Sequence, residues 1–439
     1  MKSLSRRTGA SLAALVAMGL LLAGCSNAAT AGNSGTADGV VKIQGPLIGT
    51  DAALLEKSWA GWEATNHIKI EYTGSANFEE QIATEAQQGN TPDLAVVQQP
   101  GLINDLAKLG YLQKLPSAVL TTVKANFGSD WNSYTTVNGS DYAAPLLASL
   151  NGWVVYSPSK FTKLGLKVPQ NWSELLTLTE YLRSNANTAP WCEGFDTDAD
   201  SGSTGASMVA DMVLREDGPA VYDQWVAHKI KFTDPAIQKA FSDVGEILQN
   251  KTWVNAGSGG VKTINTTTPA QVAKALESGT CDLSYEPSSF FGQLEDSTNG
   301  TASLGPASDL WAFVLPSMTS SAAPTMTVGG DFVAAFSNDS DTQKVQAYLA
   351  STAWAKKRMS LGGAISPNKH VLYYETPSQL QTESLSLMRL PNAVIRFDAG
   401  DLMPSVVGDG SFLTGIVDWI NGKPAATVES TIDGSWPSS

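Results

Sequence analysis

The chain of 439 residues carries 28 Lys+Arg against 42 Asp+Glu, a net charge of -14, with 42% hydrophobic and only 16% charged residues. That balance describes a folded chain with room for two or three domains, and its acidic surface repels phosphate backbones, which argues against a nucleic-acid partner. Three His (His67, His228, His370) and three Cys (Cys25, Cys192, Cys281), with no Cys-x-x-Cys, leave little for zinc, so no metal and no cofactor are expected.

The first 25 residues set the compartment. Lys2, Arg6 and Arg7 precede an uncharged apolar run from Ala10 to Leu22. Such a run is too short to span a bilayer as a helix and fits a signal-peptide core, so residues 1–24 are read as a signal peptide. Leu22-Ala23-Gly24-Cys25 resembles a bacterial lipobox, in which Cys25 is lipidated and becomes the mature N-terminus; an ordinary signal peptide cut nearby is the alternative. The Arg6-Arg7 pair brings twin-arginine export to mind, but Gly9 sits where that motif usually has an apolar residue, which favours general secretion. Residues 25–39 are rich in Ser, Ala, Gly, Asn and Thr and read as a flexible tether. No later segment is long and apolar enough to cross a membrane. The expectation is an exported protein, lipid-anchored to the outer face of the cell membrane or in a periplasm.

From Val40 the pattern alternates strand and helix. Val40 to Ile43 reads as a strand; Leu55, Trp59 and Trp62 then share one helix face; His67 to Tyr72 alternates apolar and polar as a second strand. Asn77 with Glu80 has the spacing of a capping box opening a helix to Gln88, and Asp93 to Val97 is apolar enough for a central third strand. This βαβαβ series predicts a mostly parallel sheet covered by helices. The rhythm returns with a strand at Trp153 to Tyr156, a helix from Asn171 to Arg183 and another from Asp234 to Leu248. A strand at Phe332 to Phe336 follows Gly329-Gly330, and one long helix is expected from Asp341 to about Met359, with Val345, Tyr348, Leu349 and Thr352 on one face. Two α/β lobes are the natural architecture, and open sheets of this kind bind ligands at the carboxyl ends of their strands.

Catalytic signatures are missing: there is no Gly-x-Ser-x-Gly, no His-Glu-x-x-His and no phosphate-binding Gly-x-x-x-x-Gly-Lys-Ser/Thr. Carboxylate pairs such as Asp398 and Asp401 could in principle serve a glycosidase, but among 42 acids proximity in sequence says little, and no enzyme is expected. In an oxidising compartment Cys192 and Cys281 are expected to pair, two separate buried thiols being the alternative. Of the 12 Trp, Trp59, Trp62, Trp172 and Trp354 sit on helical faces and belong to the core. Trp153, Trp191, Trp253 and Trp311 lie near strand ends or loops, where an aromatic face suits the C–H-rich face of a sugar ring.

The lipobox, the βαβαβ opening and Thr91-Pro92-Asp93-Leu94 resemble the family 1 extracellular solute-binding proteins of bacterial ABC sugar importers. Gln99-Pro100-Gly101-Leu102, Pro190-Trp191-Cys192-Glu193-Gly194, Val221-Tyr222-Asp223-Gln224-Trp225 and Gly329-Gly330-Asp331 narrow the resemblance to the alpha-glucoside-binding branch. So do Ser366-Pro367-Asn368-Lys369, the run from Phe397 to Pro404 and Ile432-Asp433-Gly434-Ser435-Trp436. The resemblance covers nearly all of residues 40–437. It implies a periplasmic-binding-protein-like fold, the type II Venus flytrap: two α/β lobes joined by a hinge, the first of residues 40–148 plus 326–372 and the second of 149–325 plus 373–439. It also implies a monomer that takes a small carbohydrate and delivers it to ABC permease subunits in the membrane, and it supports the Cys192–Cys281 disulfide. A secreted carbohydrate-active enzyme and a non-transporting surface lipoprotein are the rival readings.

Departures fall near the expected cleft. Leu146-Leu147, Ser149, Asn151, Ser203-Thr204, Ser207-Met208 and Ser284-Tyr285-Glu286-Pro287 replace charged and aromatic residues usual in relatives. The candidate ligand-binding residues are Asn77 and Phe78 at a helix N-terminus, Gln99 after the third strand, Trp153 and Trp311, Tyr285 and Glu286 from the opposite lobe, Asp331, and Asp398 with Asp401. Capping or turn roles are the alternatives for Asn77, Asp331 and Asp401. Alanine at Asp331 or Glu286 is expected to weaken binding about tenfold or more, if each makes a buried charge-assisted bond to ligand.

Overall fold

A computed structural model describes residues 37–185, 188–297, 303–373 and 376–437. The expected signal peptide, Cys25 with its expected lipidation and all but the last residues of the expected tether lie outside the described residues. Among the described residues no helix is long and apolar enough to cross a membrane.

Twelve strands are described: β1 (Val40–Gly45), β2 (Lys69–Gly74), β3 (Leu94–Val97), a two-residue hairpin of β4 (Thr136–Val137) and β5 (Ser140–Asp141), β6 (Ala143–Leu150), β7 (Trp153–Tyr156), β8 (Ala189–Trp191), β9 (Cys281–Glu286), β10 (Trp311–Val314), β11 (Thr325–Ala335) and β12 (Val394–Phe397). One sheet runs β12-β11-β3-β1-β2, with β6 also paired to β11; the other runs β10-β7-β9-β8. These are the cores of two lobes.

The opening unit is as the sequence implies. β1 pairs in parallel with both β2 and β3, and β3 is buried at every position, as a central strand flanked on both faces must be. The first sheet is mostly parallel, with β11 also parallel to β12, but both sheets contain antiparallel pairs that the opening series does not imply. β11 runs antiparallel to β3 and to β6, and β7 runs antiparallel to β9 and β10. The reason is connectivity: the chain returns from the second sheet and enters the first from the opposite end.

Local signals fared unevenly. Asp234 caps the helix Pro235–Leu248 by accepting from the Ala236 N–H, and Asn171 accepts from the Glu174 N–H at the start of Trp172–Asn185. Asn77 makes no side-chain cap bond to the helix Phe78–Gln88. The single helix expected from Asp341 to Met359 is two, Ser340–Leu349 and Thr352–Met359. Asp339 caps the first, and Ser351 breaks the run by accepting from the Trp354 N–H, while Asn126 donates to the freed carbonyl of Ala350. The break turns the second helix onto Gly49–Asn66, where the Trp354 indole N–H bonds Ser58 Oγ at 2.8 Å.

The crossing between the sheets is held by one buried group. After β6 the chain passes through Asn151 and Gly152 into β7; Gly152 has φ +83°, and a Cβ there would lie 2.5 Å from Asp211 Oδ2. Asp211, on the helix Ser203–Val226, pairs with Arg215 at 2.8 Å, accepts from the N–H and hydroxyl of Thr327 on β11, and accepts from the Tyr285 hydroxyl on β9. On the far side of the second sheet a Cys192–Cys281 disulfide ties the end of β8 to the start of β9.

Candidate functional site

A cavity of about 810 Å³ opens between the two sheets. It lies where the sequence places ligand sites in open sheets: Gln98 and Gln99 follow the end of β3, and Asp398 follows the end of β12. Ser288 follows β9 from the opposite side, and Trp311 opens β10 there.

Asp331 reaches the cavity through a strand irregularity. Opposite it the β6 register slips, so that Asp331 faces Leu147 while Phe332 faces Pro145. A bulge of this kind re-aims side chains, and it supports a carboxylate in the middle of a buried strand. Gly330 is required beside it, because a Cβ would sit 2.4 Å from the Leu147 carbonyl and against the ring of Trp131. Gln98 hydrogen-bonds the carboxylate, yet Asp331 Oδ1 has no partner. Burial pushes its pKa up to about 6; Asp51 pushes the same way, while the Gln98 bond and the Arg358 guanidinium pull it down. Arg358 itself is buried, donates to the Gly362 carbonyl and keeps Nε unpartnered.

Asp398 caps the short helix Ala399–Leu402 by accepting from the Gly400 N–H, and its other oxygen accepts from Asn151 at 3.3 Å. The capping role therefore falls to Asp398, not to Asp401. Ser207 bonds the same carboxylate, and burial holds its pKa near 6. Asp401, Asp409 and Asp200 also line the cavity. Burial raises all three; Asp398, Asp409, Asp200 and Glu79 push Asp401 further, and Asp409 reaches about 8 under the charges of Glu79 and Asp200, with a bond from Gln99 opposing them. Glu79 is itself raised to about 7, first by burial and then by Asp200. Asp409 sits in a π-helical stretch, Val406–Phe412, a widened turn of the sort that recurs at functional sites.

Of the residues expected at the site, Gln99, Trp311, Asp331, Asp398 and Asp401 line the cavity together. The other five are not among its lining residues. Asn77 is exposed, and Phe78 is buried in the core. Trp153 and Tyr285 are fully buried in the second sheet, Tyr285 committed to Asp211. Glu286 points to the same interior, where Ser284 donates to it and burial raises it to about 8. In a strand buried on both faces, the residue types that suit a ligand are equally the ones that satisfy a polar interior. Asp200, Asp409, Gln98 and Arg358 line the cavity as well, without having been expected there. Glycines on both sides of Asp409 were the available signal for the π-helical stretch, whereas Arg358 was hidden among the buried residues of the helix Thr352–Met359. The altered positions Leu147, Ser149, Asn151, Ser203 and Ser207 do line the cavity.

These acids give a pH dependence whose sign can be worked out. Each has a folded pKa above the ordinary carboxylate value near 4, so the native state holds protons that the unfolded chain has released. Their contribution is fully present below about pH 4 and is lost as pH rises through the values near 6, 7 and 8 of Asp331, Asp398, Glu79 and Asp409. Denaturant unfolding of the empty protein is expected to show stability falling between pH 5 and pH 8.5. Asp409→Asn flattens that slope; an equally steep slope in the variant would remove Asp409 from the account.

The sequence pattern described as bacterial extracellular solute-binding protein matches residues 46–368. The osmoprotective compounds-binding protein GgtB of Synechocystis sp. (strain PCC 6803) is 32% identical over 403 residues, covering 90% of this chain and 92% of its own. The alpha-glucosides-binding periplasmic protein AglE of Rhizobium meliloti is 30% identical over 416 residues, with 90% and 86% covered. Among solved structures, the bacterial solute receptor AcbH, described as preferring β-D-galactopyranose exclusively, superposes with a TM-score of 0.74 at 17% identity, over 90% of this chain and 97% of that one. With two sheets facing a shared polar cavity and a family match across most of the chain, the protein belongs to the bacterial extracellular solute-binding proteins.

Proposed function

We propose that the protein is the ligand-capturing lipoprotein of an ABC importer, binding an alpha-glucoside or another small oligosaccharide and handing it to a membrane permease without chemical turnover. The observation that carries this reading is the cavity, which takes groups from both sheets: Gln98 and Gln99 after β3 and Asp331 in β11 from the first, Ser288 after β9 and Trp311 in β10 from the second, with the hydrogen-bonded pair Asp398 and Ser207 beside them. Carboxylates accept from sugar hydroxyls while an aromatic face packs on the ring, and a volume of this size suits a small ligand. GgtB and AglE, by their names, bind osmoprotective compounds and alpha-glucosides.

In this reading residues 40–148 plus 326–372 form one lobe and 149–325 plus 373–439 the other, except that β12 (Val394–Phe397) joins the first sheet, with Asn151 and Gly152 in the hinge. Ligand selects the closed arrangement because only there are both halves of the site complete. Cys25, once lipidated, would hold the monomer at the membrane surface within reach of the permease.

Thermal-shift screening of the untethered protein against mono- and oligosaccharides tests this. A ligand at 100 times its dissociation constant stabilises by about 2.7 kcal/mol, a shift of a few degrees, and trehalose, sucrose or maltose is expected to give it without product formation. Asp331→Ala weakens binding about tenfold or more, since a buried charge-assisted bond contributes about 1.5–3 kcal/mol. Glu286→Gln, outside the cavity lining, leaves the affinity unchanged. Silence across all sugars from a folded protein would sink the carbohydrate reading.

A further inference from the structure

β11 has two edges, and one of them is interrupted. Along one edge it pairs with β6 from Val328 to Ala334. Along the other it pairs with β12 from Thr325 to Val328 and with β3 from Phe332 to Ala335. Between those two partners Gly329, Gly330 and Asp331 have no strand beside them, a gap of about 13 Å from Val328 to Phe332 at the usual rise of a strand. β12 runs parallel to β11 and β3 antiparallel, so both point their carboxyl ends into the gap. The residues that follow those ends, Asp398 and Gln98, line the cavity.

The main chain of Gly330 is turned to this gap. Backbone groups of successive residues in a strand point to alternate edges. The Val328 carbonyl accepts from the Asp398 N–H on the β12 edge at 2.8 Å, so the N–H and C=O of Gly330, two residues on, face the same way. The ladder on the other edge agrees. Ala148 of β6 gives its N–H to the Ile365 carbonyl at 2.8 Å, away from β11, which makes Gly330 and Ala148 a facing pair without mutual hydrogen bonds. Neither β12 nor β3 extends far enough to take the Gly330 groups. A main-chain donor and acceptor are thus left side by side in the wall of a polar cavity.

Gly329 supplies a second, independent observation. Glycine weakens a strand interior, and it belongs there where the backbone demands it or where another body comes close. Gly330 is accounted for by the Leu147 carbonyl and the Trp131 ring. Gly329 is not: its φ lies outside the left-handed region, and a Cβ there would meet only Asp401 Oδ2, at an ordinary 3.8 Å. Gly329 and Gly330 are the two positions of β11 that are not buried, and both line the cavity. The fold has no need of a bare position at 329, and the space a side chain would fill there belongs to the cavity. We infer that the main chain of β11 holds the sugar: hydroxyls of one ring accept from the Gly330 N–H and donate to its C=O, while the same ring lies against Gly329, where a side chain would displace it. This deepens the carbohydrate reading and rests on it. Hydroxyls suit the gap because each is donor and acceptor at once, as the facing main-chain pair requires.

The test joins amide exchange to two substitutions, with trehalose, sucrose and maltose as probes in turn. Exchange of the Gly330 amide, followed by NMR on protein isotope-labelled at glycine, is expected to be fast in the empty protein and about tenfold or more slower with sugar bound. By titration calorimetry Gly329→Ala weakens binding of the same sugar about tenfold or more, and Gly329→Val weakens it further, because the added group must overlap a ring already in contact. The melting midpoint of both empty variants should stay or rise, since either residue costs a strand less than glycine does. A midpoint that falls in step with the affinity would show that the glycine serves the fold and would overturn the inference. So would a Gly330 amide already protected in the empty protein or unchanged by a bound sugar, or Gly329 variants that bind like the wild type; in each of these cases the carbohydrate reading stands. Silence of the wild-type protein towards all three sugars would overturn both.

Discussion

Asp211→Ala destabilises the protein by about 3–5 kcal/mol, the range for stranding one member of a buried ion pair. Asp211 and Arg215 are both fully enclosed, 2.8 Å apart. Arg215 keeps only the Leu315 carbonyl and the Asp211 backbone carbonyl once the carboxylate is gone, and its Nη2 already lacks a hydrogen-bond partner. The Thr327 N–H and the Tyr285 hydroxyl lose their acceptor at the same moment. These partners belong to β11 and β9, so the loss falls on the crossing between the sheets as well as on the interior of one. Asp211→Asn keeps an acceptor and should cost less. Denaturant unfolding checks both, and a loss under about 1 kcal/mol in Asp211→Ala would mean that water enters and solvates Arg215.

Replacing both Cys192 and Cys281 by Ser costs about 4–5 kcal/mol on the chain-entropy estimate for a loop spanning 89 positions, an upper figure for this pair. The disulfide closes the loop holding the helices Ser203–Val226 and Pro235–Leu248, so the second sheet with its helices should melt first in the variant. Calorimetry of the oxidised and Ser forms is expected to turn one transition into two, or to lower the midpoint by several degrees. Identical traces would show that the unfolded loop is already constrained without the bridge.

What could be read from the amino acids depended on whether the signal was local. The strands of the opening unit, the caps at Asn171 and Asp234 and the pairing of two cysteines in an oxidising compartment all follow from residues near each other or few in number. The direction of β11 does not, because it is set by where the chain returns from. The split at Ser351 was visible only as a serine in a helical pattern, and it matters because Asn126, far away in sequence, is there to take the Ala350 carbonyl. At the site, Asp331 was found beside the two glycines that precede it in β11, and Asp398 in a stretch rich in turn residues. Tyr285 and Glu286 were chosen for the same chemistry, yet they face inward to satisfy Asp211 and Ser284. Polar residues in a strand buried on both faces carry no mark that says which side is wet.

The place of β11 in the first sheet governs how the molecule can be made. It lies between β3 and β12 and also pairs with β6, so residues from Val40 to Phe397 must all be present before that sheet is complete. An N-terminal fragment ending before Thr325 would hold β1, β2 and β3 with the flank of β3 unpaired, an open edge inviting association. Non-local pairing of this kind folds slowly, since the long loop must close before its contacts form. A chain that stays unfinished until its last quarter has emerged remains pliable during synthesis, which is the state that a secretion channel for unfolded polypeptides requires.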